Sequence, residues 1–143
     1  MHAPSVILFH DSPQIGPHWD WLLGDPDRPG AARLATLRLA GLPAFEGPES
    51  LACALLPPHR VAYLEFEGEV SGGRGTVRRV WRGSVRRLEV ARDRVGAVVG
   101  SDAIPGSGSG SGVWTGLVAT PRHDAPDPDR FPWVVRLRPA DSG

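Results

Sequence analysis

The stretch that decides the expected fold reads VILFHD at residues 6–11, SPQIGP at 12–17 and HWDWLL at 18–23. The apolar start of the first part predicts a strand that ends at its His-Asp pair. Two prolines and a glycine mark the second part as a loop. The third part alternates as a strand does, which places His18, Asp20 and Leu22 on one face and Trp19, Trp21 and Leu23 on the other.

The rest of the chain is typical of short strands joined by tight loops. It has 143 residues with 18 Gly and 15 Pro, which fits a single domain over residues 1–143. We expect a mainly all-β fold of eight or nine short strands, a small antiparallel β-barrel with one or two short helical turns; a sandwich is the other architecture with this pattern. The expected details are a helical turn at 49–56, a strand at 60–70, a turn at Arg82-Gly83 and a flexible Gly/Ser loop at 106–112.

The sharpest chemical feature is the pair His18 and Asp20. Two residues apart on a strand, their side chains project the same way, and imidazole and carboxylate are both good ligands for Mn²⁺ or Zn²⁺. His10 ends the preceding strand, so a hairpin would return it to His18 and complete a His/His/Asp set. A surface or hydrogen-bonded histidine is the commoner meaning of such a spacing taken alone.

His59 and Tyr63 form a second pair, four residues apart in the expected strand and so on one face. A histidine there could stabilise a phosphoryl oxygen or protonate a leaving group, and a tyrosine hydroxyl could bind the same phosphate. The simpler reading is a loop-edge histidine beside a half-buried strand aromatic.

All 16 basic residues are arginines, and they balance 16 acidic residues. Eight arginines fall between Arg74 and Arg94 against Glu89 and Asp93, a local excess of six positive charges. This run is either a solvated hairpin or a patch that faces a phosphate backbone. The single cysteine, Cys53, lies in an apolar run and is interpreted as a buried structural thiol.

Several segments, in order, resemble the 3′-phosphoesterase domain of bacterial DNA ligase D. His10-Asp11 followed by residues 18–23 resembles its H-D…H-[YW]-D-x-R-L-E block. Residues 59–68, HRVAYLEFEG, resemble its H-P-x-x-Y-x-x-F-E-G block. Residues 73–84 resemble the following G-x-G-T-V…W-D-x-G segment, and residues 133–137 resemble the terminal strand. The similarity spans nearly the whole chain, as a stand-alone form.

The resemblance implies a compact β-barrel that holds a metal and a phosphate in a groove. It implies that His10, His18 and Asp20 hold a divalent ion, Mn²⁺ by preference and Zn²⁺ as the other candidate. It implies that His59 and Tyr63 serve the reacting phosphate as catalytic residues. The implied activity is removal of a 3′-phosphate from DNA or RNA–DNA ends to leave a 3′-hydroxyl, as part of DNA repair.

Two departures from the family pattern bear on this function. The family has an arginine two residues beyond the aspartate, where this chain has Leu22. His10 and His18 are also separated by two residues more than is usual. Arg38, Arg60 and Arg74 are candidates to bind phosphate in place of the family's arginine, and the sequence does not choose among them.

Three functions remain in competition. The first is the metal-dependent 3′-phosphoesterase; the second is a catalytically weakened module of the same fold that binds nucleic-acid ends or a repair protein, which Leu22 favours. The third is a hydrolase of a small phosphorylated substrate. The expected partners are 3′ ends and separate ligase or polymerase repair proteins. We expect a monomer in the cytoplasm, because no signal peptide and no membrane-spanning apolar run is found.

Overall fold

The computed structural model describes residues 2–102 and 114–140, so the Gly/Ser run predicted as a loop at 106–112 lies outside the described residues. Nine strands and one short 3₁₀ helix make up this part of the chain. The elements are β1 (Ala3–Ser12), β2 (Gly16–Leu23), β3 (Arg33–Leu39), β4 (Glu49–Arg60), the 3₁₀ helix η1 (Val61–Leu64), β5 (Gly68–Glu69), β6 (Thr76–Ala91), β7 (Arg94–Ser101), β8 (Trp114–Pro121) and β9 (Trp133–Pro139).

Eight of the strands close into an antiparallel barrel. The order around it is β1-β2-β3-β4-β9-β8-β7-β6, and β6 returns to pair with β1, while β5 adds only two residues to β6. Closure satisfies the backbone groups that an open sheet would leave exposed at its edges. The all-β antiparallel barrel predicted from the sequence is therefore confirmed.

Three local predictions were wrong. Residues 49–56 are not helical but belong to β4, whose Pro57-Pro58 end lies beyond the part paired with β9, where missing N–H groups are tolerated. Residues 60–70 are not a strand: they form η1, a turn and the short β5. The expected turn at Arg82-Gly83 is absent, because β6 runs through it as one strand that pairs first with β1 and then with β7.

The barrel interior is filled by one apolar cluster. The Trp21 side chain is fully buried there, and its Nε1 donates a hydrogen bond to Ser5 Oγ at 3.0 Å. Ser5 Oγ in turn donates to the Leu22 carbonyl at 2.7 Å, so this hydroxyl satisfies two buried groups at once. Other members of the interior cluster are Ile7, Leu23, Leu37, Leu39, Cys53, Val85, Val95, Val99, Leu117, Val135 and Leu137.

A second, smaller cluster lies on the outer surface of the barrel. It comprises Val6, Leu8, Leu22, Leu34, Val70 and Val77, with Tyr63 and Leu64 of η1 packed against it. The segment from Val61 to Gly75 thus covers the outside of β1, β2 and β3. The part of the chain that the structure describes contains no helix long and apolar enough to cross a membrane.

Gly83 marks the point where β6 pairs with β1 on one side and with β7 on the other. A Cβ at Gly83 would overlap with the Gly100 carbonyl oxygen and the Trp81 indole. We expect Gly83→Ala to lower the free energy of unfolding by about 1–3 kcal/mol, as overpacking does. Gly30→Ala, which meets nothing within 4 Å, is the matched control. Urea unfolding followed by tryptophan fluorescence measures both; equal stability of the two variants contradicts this account of barrel closure.

Candidate metal centre

The β1–β2 hairpin brings the first three predicted ligands together. His10 lies directly opposite His18 in the antiparallel register, and Asp20 is two residues further along β2 on the same face. The two imidazole rings are 4.6 Å apart between centroids. All three side chains lie on the outer surface of the barrel, beside the small outer cluster, because the alternate positions of both strands point into the core.

Backbone carbonyls fix the orientation of both histidines. His10 Nε2 donates to the Arg74 carbonyl at 2.7 Å, and His18 Nδ1 donates to the Gly16 carbonyl at 3.0 Å. These bonds leave His10 Nδ1 and His18 Nε2 as the free ring nitrogens, 3.6 and 3.5 Å from the Asp20 carboxylate. A carbonyl bond to the far nitrogen is the usual support of a metal-ligating histidine.

His10, His18 and Asp20 form a group that could hold a metal ion, with their ligand atoms within 4.8 Å of one another. Ligands about 3–3.5 Å apart surround a first-row metal at bond lengths of about 2.0–2.2 Å, so the distances of 3.6 and 3.5 Å from the two histidines to Asp20 need little adjustment. The Asp20 Oδ1 atom is buried and accepts no hydrogen bond from any residue that the structure describes. A cation is the partner that would satisfy this oxygen, so the residues present fit a divalent metal.

The carboxylate of Asp20 is held in its charged form. Burial alone would raise the pKa of Asp20, but polar interactions with His10 and His18, and the charges of His18 and His59, lower the pKa to about 2. The interaction with Asp20 in turn raises the pKa of His10 against the opposing effect of burial. An ionised, almost fully buried carboxylate is the ligand that gives such a site its affinity for a cation.

His59 and Tyr63 also reach this centre, though not from one strand. His59 lies near the end of β4 and Tyr63 lies in η1, with ring centroids 5.9 Å apart. His59 Nδ1 donates to the Pro57 carbonyl at 3.2 Å, which directs Nε2 towards Asp20 Oδ2 at 3.9 Å. His59 is not in the compact ligand group. The prediction that the two residues share one face of a strand is therefore wrong, because Tyr63 lies in η1. The predicted proximity of the two residues is nevertheless found.

The centre opens into a cavity of about 540 Å³ between β1, β4 and the Val61–Gly75 segment. All three arginines that the sequence left as alternatives line it, and Arg33 joins them. Arg38 is the cross-strand partner of Asp20, and its Nε atom is buried without a hydrogen-bond acceptor among residues 2–102 and 114–140. Arg74, in contrast, is tied to Ser71 by its Nε and Nη2 atoms. The cavity wall thus combines two of the candidate metal ligands, His10 and Asp20, with cationic side chains, namely Arg33, Arg38, Arg60 and Arg74.

Leu22 has no access to this cavity. Its side chain is fully buried in the outer cluster, where Tyr63 and Leu64 pack from above. An arginine at this position would have to displace that packing. Arg38 lies beside Asp20 in the next strand, β3. The sequence alone did not identify Arg38 as the neighbour of Asp20, because this pairing depends on the β2–β3 register.

The arginine run between residues 74 and 94 does not form one patch, because successive residues of β6 point to different surroundings. Seven of its eight members lie in the metal-centre cavity (Arg74), over ring faces (Arg78 on Phe9 and Arg86 on Trp114), in ion pairs with Glu65 (Arg79 and Arg82) and in a depression on the far side of the barrel (Arg87 and Arg94). The eighth, Arg92, is exposed in the β6–β7 turn.

Cys53 takes no part in the centre. It is fully buried in the barrel interior, as predicted, and burial raises the pKa of its thiol to about 12. The thiolate is therefore suppressed at neutral pH, which removes Cys53 as a nucleophile.

No protein-family model matches the chain, and no curated protein matches it. The resemblance to the ligase D phosphoesterase domain thus rests on the quoted motifs alone.

We expect Asp20→Asn and His18→Ala each to weaken Mn²⁺ binding at least about 100-fold, because loss of a ligand costs at least as much as loss of the groups that orient it. Isothermal titration of the purified, chelator-treated protein with MnCl₂ measures the affinity. His123→Ala, a histidine in the β8–β9 loop away from the centre, is the control and should bind as the wild type does. Unchanged affinity in both ligand variants would overturn the assignment of the centre.

Proposed function

We propose that the chain is a divalent-metal-dependent phosphoesterase that removes the 3′-phosphate from DNA or RNA–DNA ends, with Mn²⁺ as the preferred ion. The observation that carries the proposal is the convergence of His10, His18 and His59 on Asp20 at the wall of an arginine-lined cavity. The metal-ligand group and the arginines support phosphate-ester chemistry. The nucleic-acid 3′ end as substrate is supported by the order of the motifs.

The cavity residues offer a role for each part of a phosphate-ester hydrolysis. A bound divalent cation supplies Lewis-acid polarisation of the phosphate ester. The guanidinium of Arg38, which lines the cavity, would bind a non-bridging phosphate oxygen. Tyr63 would donate its hydroxyl hydrogen to a second oxygen.

His59 would handle the proton of the leaving group. With Nδ1 held by the Pro57 carbonyl, its Nε2 atom faces the cavity. When water attacks phosphorus and the bond to the 3′ oxygen breaks, a protonated His59 would donate its Nε2 hydrogen to that oxygen, which leaves as the 3′-hydroxyl. This Nε2 atom lies 3.9 Å from the Asp20 carboxylate.

The alternative is a non-catalytic module of the same fold that binds nucleic-acid ends. The burial of Leu22 favours this alternative. The position that carries a phosphate-binding arginine in the family is here a buried leucine, which cannot contact a phosphate. The two functions differ in turnover: the module would retain metal and end binding without release of phosphate.

We expect the protein with Mn²⁺ to release inorganic phosphate from a primer–template whose primer ends in a 3′-phosphate. A 5′-phosphorylated duplex of the same sequence should release none, and excess EDTA should abolish the reaction. His18→Ala, which removes a metal ligand, and His59→Ala, which removes the general acid, should each lower the rate at least about 100-fold, while His123→Ala should not. Absence of release by the wild type would refute the proposal. Release from p-nitrophenyl phosphate but not from DNA would favour a small-substrate hydrolase.

The role of Arg38 has its own signature. We expect Arg38→Gln to raise KM for the 3′-phosphorylated substrate about 10–100-fold, as loss of a charged hydrogen bond does, without weakening Mn²⁺ binding. Removal of a cation beside Asp20 should if anything strengthen the metal site. Arg28→Gln, in the β2–β3 turn, controls for the change in net charge. A parallel loss of metal affinity in Arg38→Gln would show that the arginine only supports the fold of the site.

A further inference from the structure

A trough lies on the outer surface of β6, β7, β8 and β9, on the opposite wall of the barrel from the metal centre. Its cavity measures about 440 Å³. In the ladder register, one row across the four strands reads Arg138, Gly116, Val98 and Arg87. The row thus has an arginine at each rim and a floor with little or no side chain.

The neighbouring row also carries an arginine, but at one rim only. It reads Arg136, Val118, Gly96 and Glu89. A Cβ at Gly96 would meet the guanidinium of Arg94 at 3.6 Å, so that side chain extends over the floor. The rims are three strand spacings apart, or about 14 Å between backbones. The trough therefore runs along β7 and β8 between two raised edges.

The rim charges are largely uncompensated. Arg94 pairs with Glu89 at 3.8 Å. Over residues 2–102 and 114–140, the structure gives the side chains of Arg87, Arg136 and Arg138 neither an ion pair nor a hydrogen bond. Arg136 and Arg138 are exposed and lie two residues apart on one face of β9, which spaces their Cα atoms about 6.6–6.8 Å apart along the trough.

We propose that this arginine trough binds the phosphate backbone of a single-stranded nucleic acid. Three unpaired guanidiniums on two facing rims suit a ligand with regularly repeated anions, because each arginine can take a phosphate while the strand lies along the floor. The floor carries glycine and valine but no hydrogen-bonding side chain, so it offers no means of reading base edges. Binding is accordingly independent of sequence.

This site is separate from the function proposed for the metal centre. The metal-centre cavity is lined by β1 to β4, the Val61–Gly75 segment and Val77 at the start of β6, whereas the trough is lined by the end of β6, from Arg87 onward, and by β7, β8 and β9. Variants in the trough should therefore leave Mn²⁺ binding intact, and failure of one proposal does not carry the other with it.

The test is fluorescence anisotropy with a 5′-labelled dT20 that has a 3′-hydroxyl, measured in EDTA over a range of NaCl concentrations. We expect the double variant Arg136→Gln/Arg138→Gln to bind at least about ten-fold more weakly at low salt. The slope of log K against log [NaCl] should fall by about 1.4, or 0.7 for each lost phosphate contact. Arg28→Gln/Arg122→Gln removes the same charge from two loops and should retain the wild-type slope. His18→Ala should bind dT20 as the wild type does.

Thermal unfolding checks that the double variant is folded. We expect the fold to be retained, because both substituted positions are exposed. Three results would overturn the proposal: no binding of dT20 by the wild type at low salt, an equal loss of affinity in the loop control, or a loss of binding in His18→Ala that matches the trough variant. A polyglutamate peptide is titrated in parallel, and tighter binding of this peptide than of dT20 would replace the nucleic acid by an acidic protein segment.

Discussion

The buried negative charge of Asp20 is the constraint on which the candidate metal centre depends. A carboxylate that is 3 % exposed must be compensated, and here the compensation comes from imidazoles on three different strands. Each imidazole is fixed by a backbone carbonyl, from Arg74, Gly16 and Pro57. The geometry of the site is therefore set by main-chain positions, which the closed hydrogen-bonded barrel holds in place.

The glycine at position 75 shows how closely this support is integrated with the backbone. Gly75 has a φ of +93°, and a Cβ there would overlap with the Asp11 carbonyl oxygen. Only glycine allows the chain to pass this close to the end of β1 in this conformation. The close approach places the preceding carbonyl, that of Arg74, on His10 Nε2. A residue with no side chain thus helps to orient His10, a candidate metal ligand.

Much of this arrangement was predictable from local sequence, and the remainder was not for identifiable reasons. The facing of His18 and Asp20 follows from strand alternation, and a hairpin loop suffices to return His10. The approach of His59 depends on the pairing of β3 with β4, and the approach of Arg38 depends on the β2–β3 register. Such registers are set by the packing of the whole barrel and carry no local signal. The Pro57-Pro58 pair misled the local reading because a strand can hold prolines where its neighbour has ended.

The course of β6 has a consequence for the length of any ligand that touches both walls of the barrel. Three to four strand spacings separate the metal centre from the trough by the shorter way round, which crosses β1 and β6. With the tilt usual in small barrels this arc is roughly 25 Å. A nucleic-acid strand with bases stacked at about 3.4 Å would need about seven nucleotides to cover it. A trinucleotide and a long overhang would thus make different footprints on this protein, with the strand wrapped around the barrel only in the second case.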